Sequence, residues 1–317
     1  MEINPGINCP ICNSRSTKIK TLNSAYIKNK LSVQFNVQNL NDVEIVDYDL
    51  MRCDECSFEF AFPQIEGSGS FYDWVTKQPG YYVESRWEYA KVLELLEKEQ
   101  MPINLLDVGC GDGQFFDTIT QRKNSRIDFY GLDTTSGSIE ICKSKNYKAF
   151  CMDVQQFKSI HDKMLFDVIT SFHVLEHIAD PKKFLTDLTA LIKPTGAIYI
   201  STPYSPMDFE LDWYDVLNHP PHHMGRWNLK SYKKIAQILG LKLEVFMPEY
   251  QGLLKSAVLS FKFSMYGTKK IESKMEISRA ILLHPLKFLN HLKKQSKRTK
   301  ISGKSASNVI LVKFTKG

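Results

Sequence analysis

One short stretch of the chain constrains its fold more than any other: Leu105-Leu106-Asp107-Val108-Gly109-Cys110-Gly111-Asp112-Gly113. The apolar run at its start is too short for a helix and predicts a buried parallel strand. Glycines then recur at every second position, which lets the chain turn tightly and brings bare backbone close to a ligand. A helix is expected to begin near Asp112, with its free N–H groups facing the same crevice.

Strand-like and helix-like segments alternate after this stretch, which predicts an α/β fold with a doubly wound parallel sheet. The second and third predicted strands end at or just before two acids, Asp133 and Asp153. An acid about twenty residues after the glycines can accept hydrogen bonds from both ribose hydroxyls. The alternatives are an ordinary glycine-rich turn and acids that only cap helices.

The order of the acid and the glycines separates this loop from the dinucleotide-binding fingerprint, whose third glycine would fall on Gln114. With the order acid-x-Gly-x-Gly-x-Gly, the chain resembles the class I S-adenosylmethionine-dependent methyltransferases. This resemblance implies S-adenosylmethionine as cofactor and a Rossmann-like, seven-stranded, mostly parallel sheet with an antiparallel last strand near residues 307–314. It also implies a cofactor site built from Asp107, Gly109, Gly111, Gly113, Asp133, Asp153, Val154, Phe172 and His173.

The aromatic-rich segment before the first strand of this sheet includes Tyr81, Tyr82 and Arg86. In methyltransferases of the type that the chain resembles, this segment often folds over the cofactor. These three residues are therefore weaker candidates for contacts to the methionine end of the cofactor. Packing of the aromatic rings in the core or in a lid is the alternative.

Two Cys-x-x-Cys pairs, Cys9/Cys12 and Cys53/Cys56, are separated by forty residues. Four thiolates suffice for tetrahedral zinc, and each two-residue gap lets a knuckle present both sulfurs to one ion. Strand-like alternation at residues 31–35 and 43–46 predicts that residues 1–66 form a small zinc ribbon. Because four cysteines leave no open position on the metal, the predicted role is structural. Free or redox-active cysteines are the alternative.

The composition is typical of a soluble globular protein, with 43% hydrophobic and 24% charged residues in a chain of 317. The chain has no run of about 18 apolar residues that would predict a spanning helix. Its N-terminus lacks the basic and apolar regions of a signal peptide. Three of the seven cysteines lie outside the two pairs, in the predicted core or beside the glycines. This distribution fits a reducing compartment, so a cytoplasmic location is expected.

Residues 67–70, Gly-Ser-Gly-Ser, predict a flexible joint between the ribbon and a methyltransferase domain over residues 71–317. Within that domain, residues 251–306 form a basic insertion, with 13 Lys and Arg against only Glu272 and Glu276. Leucines accompany the basic residues at roughly helical spacing. The insertion is either a solvated helical cap or a docking surface for anionic groups. Such groups would be phospholipid headgroups at the inner face of the membrane or a sugar phosphate.

The passage from the fourth predicted strand, residues 166–171, to the fifth, residues 197–203, resembles small-molecule O-methyltransferases of the ubiquinone-biosynthesis type and their sugar-modifying relatives. The fourth strand does not end in Asn-Pro-Pro and an aromatic residue, the tetrapeptide with which related nucleic-acid enzymes hold a planar amine. The ribbon and the Pro-Pro-His-His loop add a resemblance to methyltransferases of bacterial surface-glycan biosynthesis.

The activity predicted from these resemblances is O-methylation of a sugar hydroxyl. The acceptor would be a nucleotide-linked, lipid-linked or growing glycan, such as a capsule or O-antigen precursor, and the oligomeric state stays open. A zinc-ribbon RNA methyltransferase is the alternative, although nucleic acid is disfavoured because the amine-holding tetrapeptide is missing. A non-catalytic binding protein on the same scaffold is disfavoured by the intact glycine loop.

Five histidines follow the fourth and fifth strands: His173, His177, His219, His222 and His223. Deprotonating a hydroxyl calls for a group that is neutral near physiological pH, which suits histidine. Because two prolines precede His222 and His223 and restrict the backbone, we predict His223 as the base, followed by His222 and then His177. An ordered loop without chemistry is the alternative. A catalytic metal is not chemically required, although His173, Glu176 and His177 are metal-binding residue types. Arg226 and Trp227 are expected to meet a phosphate and a sugar face.

Overall fold

The computed structural model describes residues 6–37, 40, 42–78, 81, 86–123, 126–161, 163–207, 210, 215–248, 252–266, 274–302 and 308–317. Tyr82, one of the predicted cofactor contacts, lies outside the described residues. The chain divides into two compact units. The first contains residues 1–202, 216–246 and 311–317, and the second contains residues 203–215 and 247–310.

The strands are β1 Ser16–Leu22, β2 Tyr48–Cys53, β3 Glu59–Phe62, β4 Ile103–Val108, β5 Ile127–Asp133, β6 Lys148–Cys151, β7 Phe166–Phe172, β8 Ile192–Pro203, β9 Gly225–Arg226, β10 Leu241–Phe246 and β11 Val309–Lys316. The helices are α1 Ser24–Phe35, α2 Gly69–Val75, α3 Trp87–Leu96, α4 Gln114–Gln121, α5 Ser136–Ser144, α6 Val154–Ile160, α7 Pro181–Leu191, α8 Leu229–Ile238, α9 Leu253–Tyr266, α10 Lys274–Leu283 and α11 Pro285–Ser302. A short 3-10 helix covers Val216–Asn218.

The central sheet has seven strands in the order β10-β11-β8-β7-β4-β5-β6. Strand β4 pairs in parallel with β5 and β7, and the pairs β5–β6 and β7–β8 are also parallel. Strand β11 runs antiparallel to β10. The predicted doubly wound, mostly parallel, Rossmann-like sheet of seven strands is therefore confirmed. Its strand order brings the carboxyl ends of β4, β5, β6 and β7 to one edge, where ligands bind in open α/β sheets.

The core of the central sheet explains why the sequence of β4 is an unbroken apolar run. Leu105 and Leu106 alternate between the two faces of the strand, and both are fully buried because both faces are covered. On one side lie α3 and α4, which contribute Val92 and Phe116 to the same hydrophobic cluster as Leu105. This packing fixes the start of the glycine loop, which follows β4 directly.

The N-terminal segment forms a second, four-stranded sheet in the order β1-β2-β3-β9. Strands β1, β2 and β3 are antiparallel neighbours, as a ribbon requires. The fourth strand, β9, comes from the histidine-rich loop far along the chain and pairs Arg226 with Glu59 and Gly225 with Phe60. The cysteine-rich segment is thus joined to the rest of the first unit through a shared sheet.

Two local predictions for this segment are wrong. Residues 31–35 do not form a strand, because α1 runs through them. The side chain of Asn23 caps the helix by accepting from the Tyr26 N–H at 2.7 Å, and Asn36 ends it in the left-handed conformation. Ile27 and Leu31 share its buried face at helical spacing. Residues 43–46 have no regular structure, since β2 begins only at Tyr48.

The predicted flexible joint at residues 67–70 is also wrong, because a helix starts within it. The Ser68 side chain accepts a hydrogen bond from the Phe71 N–H at 3.1 Å and so caps α2. Serine is a favoured residue at this position, since it satisfies an N–H group that the helix leaves free. Phe71 and Val75 then bury one face of this short helix.

The basic insertion is helical, as its leucine spacing predicts, and it supplies most of the second unit as α9, α10 and α11. Helices α9 and α11 pack through Phe261, whose ring lies 5.6 Å from Phe288 and 5.8 Å from His291. His291 is buried between two serines, with hydrogen bonds to Ser260 at 2.9 Å and Ser264 at 3.1 Å. Among the described residues, no helix combines the length and the apolar character needed to cross a membrane.

Candidate active site

The glycine loop follows β4 with all three predicted glycines at positive φ. Gly109 has φ +78°, and a Cβ at this position would meet Val174 Cγ2 at 2.1 Å. Gly111 has φ +54° and donates its N–H to Asp133 Oδ2 at 2.9 Å. Because both the backbone angle and the available space exclude a side chain at Gly109, the loop needs glycine there. Gly113 is the N-cap residue of α4, which begins at Gln114, two residues after Asp112, near which the helix was expected to start.

Two acids of the predicted cofactor site, Asp133 and Asp153, lie at the ends of neighbouring strands. Asp133 ends β5 and accepts from the N–H groups of Gly111 and Thr135, the latter at 2.8 Å. Asp153 lies just beyond β6 and caps α6 by accepting from the Gln156 N–H at 2.8 Å. The capping role that the sequence left open is therefore present in Asp153 but not in Asp133, since α5 has Thr135 at its N-cap and no side-chain cap. Each carboxylate oxygen retains a second lone pair for a ligand. Val154 begins α6 and is buried.

Asp107, the acid of the glycine motif, lies inside the sheet. It is only 2% exposed and accepts a hydrogen bond from the Thr170 hydroxyl at 2.7 Å. Burial raises the pKa of Asp107 to about 7, and this outweighs the hydrogen bond from Thr170, which lowers it. The side chain therefore ties β4 to β7 beneath the glycine loop.

Phe172 is the last residue of β7, and His173 follows it directly. Phe172 is buried, with its ring 4.8 Å from Tyr89 and 5.0 Å from Phe115. His173 adopts the left-handed backbone conformation and donates from Nε2 to Glu88 Oε1 at 2.8 Å. Its Nδ1 lies 3.4 Å from Glu176 Oε1, within ion-pair distance.

His173 is thus held between two buried carboxylates, Glu88 and Glu176, that were not predicted as site residues. Burial alone would lower the pKa of His173, but Glu176 and Glu88 raise it above its ordinary value. A sequence signal for Glu88 exists, since it lies on the apolar stripe of α3 with Val92 and Leu96. Arg86 immediately precedes this helix. Its positive charge lowers the pKa of His173, whereas the two carboxylates raise it.

The predicted bases His177, His222 and His223 come together in one cluster. The ring centroids of His177 lie 4.5 Å from His222 and 5.1 Å from His223, and those of His222 and His223 are 4.7 Å apart. Each Nδ1 faces an oxygen: the His222 carbonyl for His177 at 2.5 Å, the Leu217 carbonyl for His222 at 2.8 Å, and Asn218 Oδ1 for His223 at 3.2 Å. The sequence predicted these residues separately, and the fold makes them neighbours.

The surroundings keep His222 and His223 neutral. Burial lowers the pKa of both well below the ordinary value, and the neighbouring imidazoles lower it further. Tyr81, a weaker candidate for contact with the methionine end of the cofactor, places its hydroxyl 3.1 Å from His222 Nε2. Since the His222 Nδ1–H donates to a carbonyl, its Nε2 accepts the proton of Tyr81.

The expected roles of Arg226 and Trp227 are wrong. Trp227 is fully buried, with its ring 4.7 Å from both Phe58 and Tyr232, so it offers no face to a sugar. Arg226 forms an ion pair with Glu59 at 3.1 Å, donates to the Asn218 carbonyl and to His219 Nε2, and is largely buried. Both side chains fasten the histidine loop to the cysteine-rich sheet.

The four paired cysteines form a second cluster. Their sulfurs lie within 4.8 Å of one another, with Cys9 Sγ 3.7 Å from Cys56 Sγ and Cys12 Sγ 3.4 Å from Cys53 Sγ. A tetrahedral zinc with bonds of about 2.3 Å would set such sulfurs about 3.8 Å apart. The two knuckles have the same backbone geometry, since Asn13 and Ser57 are both left-handed and donate to the carbonyls of Cys9 and Cys53. The donor set therefore fits one zinc ion.

Comparisons with known proteins concern the part of the chain that carries the glycine loop and most of the central sheet. The family described as "Methyltransferase domain" matches residues 81–244 of the 317, just over half of the chain. The mitochondrial ubiquinone biosynthesis O-methyltransferase of Dictyostelium discoideum is 29% identical over 114 residues, covering 32% of this chain and 35% of that protein. The ubiquinone biosynthesis O-methyltransferase of Coxiella burnetii (strain RSA 493 / Nine Mile phase I) is 32% identical over 105 residues, covering 31% of this chain and 43% of that protein.

The chain therefore spans less than half the length of these curated relatives. A solved structure of a SAM dependent methyltransferase from Archaeoglobus fulgidus superposes with a TM-score of 0.49 and 19% identity, over 72% of this chain and 92% of that one. The assignment of the fold rests on the strand order of the central sheet and on the family match. The chain belongs to the methyltransferase domain family, and its first compact unit carries a class I, S-adenosylmethionine-dependent methyltransferase domain.

Proposed function

We propose that this protein transfers a methyl group from S-adenosylmethionine to a hydroxyl oxygen. The observation that carries this proposal is the cluster of His177, His222 and His223, which gathers proton-accepting nitrogens in the loops that follow β7 and β8. The relatives that carry the printed name O-methyltransferase support oxygen as the methylated atom. The family match supports the methyl donor.

The residues around the glycine loop fit the donor. When bound, S-adenosylmethionine supplies a methyl group made electrophilic by the sulfonium. Gly109 and Gly111 leave backbone without a side chain next to the crevice, and Asp133 and Asp153 offer carboxylate lone pairs at neighbouring strand ends. We assign Asp107 to support of the glycine loop from below, through its hydrogen bond with Thr170. Arg86 stays a candidate for the methionine carboxylate.

For the acceptor, we propose His223 as the base. Its Nδ1–H donates to Asn218, which leaves the lone pair on Nε2 for the proton of the acceptor hydroxyl. His177 is held in the same tautomer by the His222 carbonyl, whereas Nε2 of His222 already accepts from Tyr81. His223 therefore remains the first candidate, and His177 and His222 are its rivals. A positioned base contributes roughly 10²–10⁴-fold to such a reaction.

The acceptor that we propose is a sugar hydroxyl of a bacterial surface-glycan precursor. The support is the sequence resemblance in residues 166–203 together with the Pro-Pro-His-His loop. β7 ends at Phe172 and is followed by His173-Val174, not by the amine-holding tetrapeptide. This difference favours a hydroxyl over the planar amine of a nucleobase.

We further propose that the basic insertion docks on an anionic phospholipid surface, for which charge and exposure are the support. Leu282 and Leu286 are 80% and 81% exposed, and Leu283 and Leu289 are exposed beside them. Lys287 and Lys293 lie on the same helix as Leu286 and Leu289. Exposed leucines among lysines are typical of interfacial helices on anionic lipid.

Liposome co-sedimentation tests the docking surface. We expect binding to vesicles that contain phosphatidylglycerol and none to pure phosphatidylcholine. Leu286→Ser with Leu289→Ser should weaken binding about tenfold or more, since each leucine contributes about 1.5–3 kcal/mol when buried. Equal, negligible binding to both vesicles would leave the insertion as a solvated helical cap.

We propose one structural zinc at Cys9, Cys12, Cys53 and Cys56. Two backbone N–H groups already point at the sulfurs, from Ile11 to Cys9 at 3.4 Å and from Cys56 to Cys53 at 3.3 Å. Such N–H···S contacts stabilise thiolates, the form that binds zinc. The reaction itself involves no step at this site.

The proposed function is tested in two stages. Calorimetry with S-adenosylhomocysteine should show binding to the wild type and none to Gly111→Val, because a β-branched residue cannot adopt φ +54° without strain. Labelled S-adenosylmethionine is then offered with a panel of glycan precursors and with RNA. Transfer of label to a glycan hydroxyl supports the proposal. Transfer to RNA alone, or unchanged affinity in Gly111→Val, contradicts it.

A further inference from the structure

We propose that His177, His222 and His223 together form a binding site for a divalent transition-metal ion, with zinc as the best match, through their Nε2 atoms. The three side chains offer ligand atoms that all lie within 4.8 Å of one another. This site is distinct from the cysteine cluster, and it does not depend on which acceptor the enzyme uses.

The hydrogen bonds of the cluster fix the tautomer that a metal requires. A carbonyl or amide oxygen can only accept, so each Nδ1 that faces one carries the proton: His177 toward the His222 carbonyl, His222 toward the Leu217 carbonyl, and His223 toward Asn218 Oδ1. The lone pairs of all three rings are therefore on Nε2. A metal-binding histidine characteristically donates its other ring N–H to an oxygen in this way, which orients the ring.

The arrangement of the rings is close to that of a three-histidine metal site. Zinc–nitrogen bonds of about 2.0–2.1 Å place tetrahedral ligands about 3.4 Å apart. One ring nitrogen of each histidine lies within 4.8 Å of those of the other two, so the rings have to bring their nitrogens at most about 1.4 Å closer to reach this separation. Tyr81, whose hydroxyl now donates to His222 Nε2, is the group that has to turn aside.

A buried carboxylate supplies compensating charge in the same neighbourhood. Glu176 precedes His177 and is only 1% exposed, and neither of its carboxylate oxygens has a hydrogen bond within the described part of the chain. Its backbone carbonyl accepts from Gly225 N–H, which ties this segment to the histidine loop. The Oε1 of this carboxylate lies 3.4 Å from His173 Nδ1, and a cation nearby would add to the compensation that His173 gives it.

Three imidazole ligands leave one position of a tetrahedral metal open, as in catalytic zinc sites. An oxygen ligand bound there has its pKa lowered by the cation. Because a bound metal would occupy the Nε2 lone pair of His223, this activation would replace proton transfer to that imidazole, and the proton of the acceptor hydroxyl would pass to water. Metal binding would also explain why three lone pairs are gathered where one base would suffice.

Metal content provides the test. The wild type, His177→Asn/His223→Asn and His219→Asn are each loaded with zinc, desalted and assayed for zinc per chain. We expect the double variant to bind about one equivalent less than the wild type, whatever the cysteine cluster holds. His219→Asn should match the wild type, since His219 lies in the same loop but its Nε2 is held by Arg226. Equal zinc in all three proteins, with unchanged circular dichroism, overturns the proposal.

Cobalt substitution gives a second readout that separates the two clusters. Cobalt bound by thiolates shows a strong sulfur-to-metal charge-transfer band, which imidazole ligands do not produce. We expect the double histidine variant to retain that band and to lose d–d absorption from a nitrogen-ligated site. Spectra identical to those of the wild type count against the proposal. Calorimetry with S-adenosylhomocysteine on the same samples shows independently whether the proposed function fails.

Discussion

The cysteine cluster and the histidine cluster belong to the same compact unit, and their ligand atoms are held in different ways. In the cysteine cluster, two equivalent backbone turns orient the sulfurs, and the N–H groups of Ile11 and Cys56 point at them. In the histidine cluster, oxygens of the loop backbone and of Asn218 accept hydrogen bonds from Nδ1 of each ring and so orient the rings. Four ligands close a tetrahedral site and three leave it open, so the first cluster suits structure and the second suits chemistry.

The two clusters are also connected, because the loop of the histidine cluster packs on the cysteine-rich sheet. Strand β3 of the cysteine-rich sheet pairs with β9, and the Ala61 N–H donates to the Met224 carbonyl at 2.9 Å. Phe58, two residues after Cys56, packs against Trp227. The loop that carries His222 and His223 therefore rests on the sheet that the two cysteine pairs flank. Damage to the cysteine cluster should reach the histidines, whereas a change in the histidines should leave the cysteines intact.

The largest effect is expected for Cys53→Ser. Loss of a cysteine ligand should release the zinc and unfold the first residues, because structural zinc supplies much of the folding free energy of small modules, about 10–16 kcal/mol in zinc-finger peptides. Turnover should fall as well, since β3 no longer supports the histidine loop. Zinc content, melting temperature and turnover are measured together. Cys151→Ser is the control, because Cys151 is exposed and outside the cluster. Full turnover in a zinc-free Cys53→Ser protein would break the proposed connection.

His223→Asn, unlike Cys53→Ser, should lower turnover without affecting the cysteine cluster. We expect turnover to fall by roughly 10²–10⁴-fold, while affinity for S-adenosylhomocysteine and the zinc of the cysteine cluster are unchanged. His222→Asn and His177→Asn are measured beside it, with His219→Asn as the control from the same loop. Near-normal turnover in all three cluster variants would show that this loop only packs. Loss of cysteine-bound zinc in any of them would show that the cysteine cluster also depends on the histidines.

The parts of the molecule that the sequence predicts well are those set by local patterns. The apolar run of β4 and the alternating glycines depend on residues that are neighbours in the chain, so the glycine loop and its sheet could be predicted. The two cysteine pairs are similarly local, with a fixed gap in each. In α1, by contrast, Ile27 and Leu31 are buried at helical spacing within a largely polar segment, and the short apolar–polar alternation at residues 31–35 imitates a strand.

The parts that could not be predicted depend on contacts between distant segments. His173 meets Glu88 across 85 positions of the chain, and His177 meets the His222 carbonyl across 45. The sequence places His177 after one strand and His222 and His223 after another, but only the strand order makes those strand ends neighbours. Trp227 was predicted to meet substrate because its residue type suits a sugar face. Its burial follows from the pairing of β9 with β3, which no local pattern indicates.

The smallest effect is expected for a substitution that changes no metal ligand in either cluster. Asn218→Leu keeps a side chain of similar size at a buried position but removes the oxygen that accepts from His223 Nδ1. Loss of such an orienting hydrogen bond typically lowers metal affinity about 10–100-fold. Zinc affinity is measured by competition with a chelator, and we expect weakening at the histidine cluster only. His223 then samples both tautomers, so turnover at saturating cofactor should fall in parallel and recover partly when zinc is added in excess. An unchanged affinity would mean that the oxygens that accept from Nδ1 do not orient the rings. The two clusters would then differ only in their number of ligands.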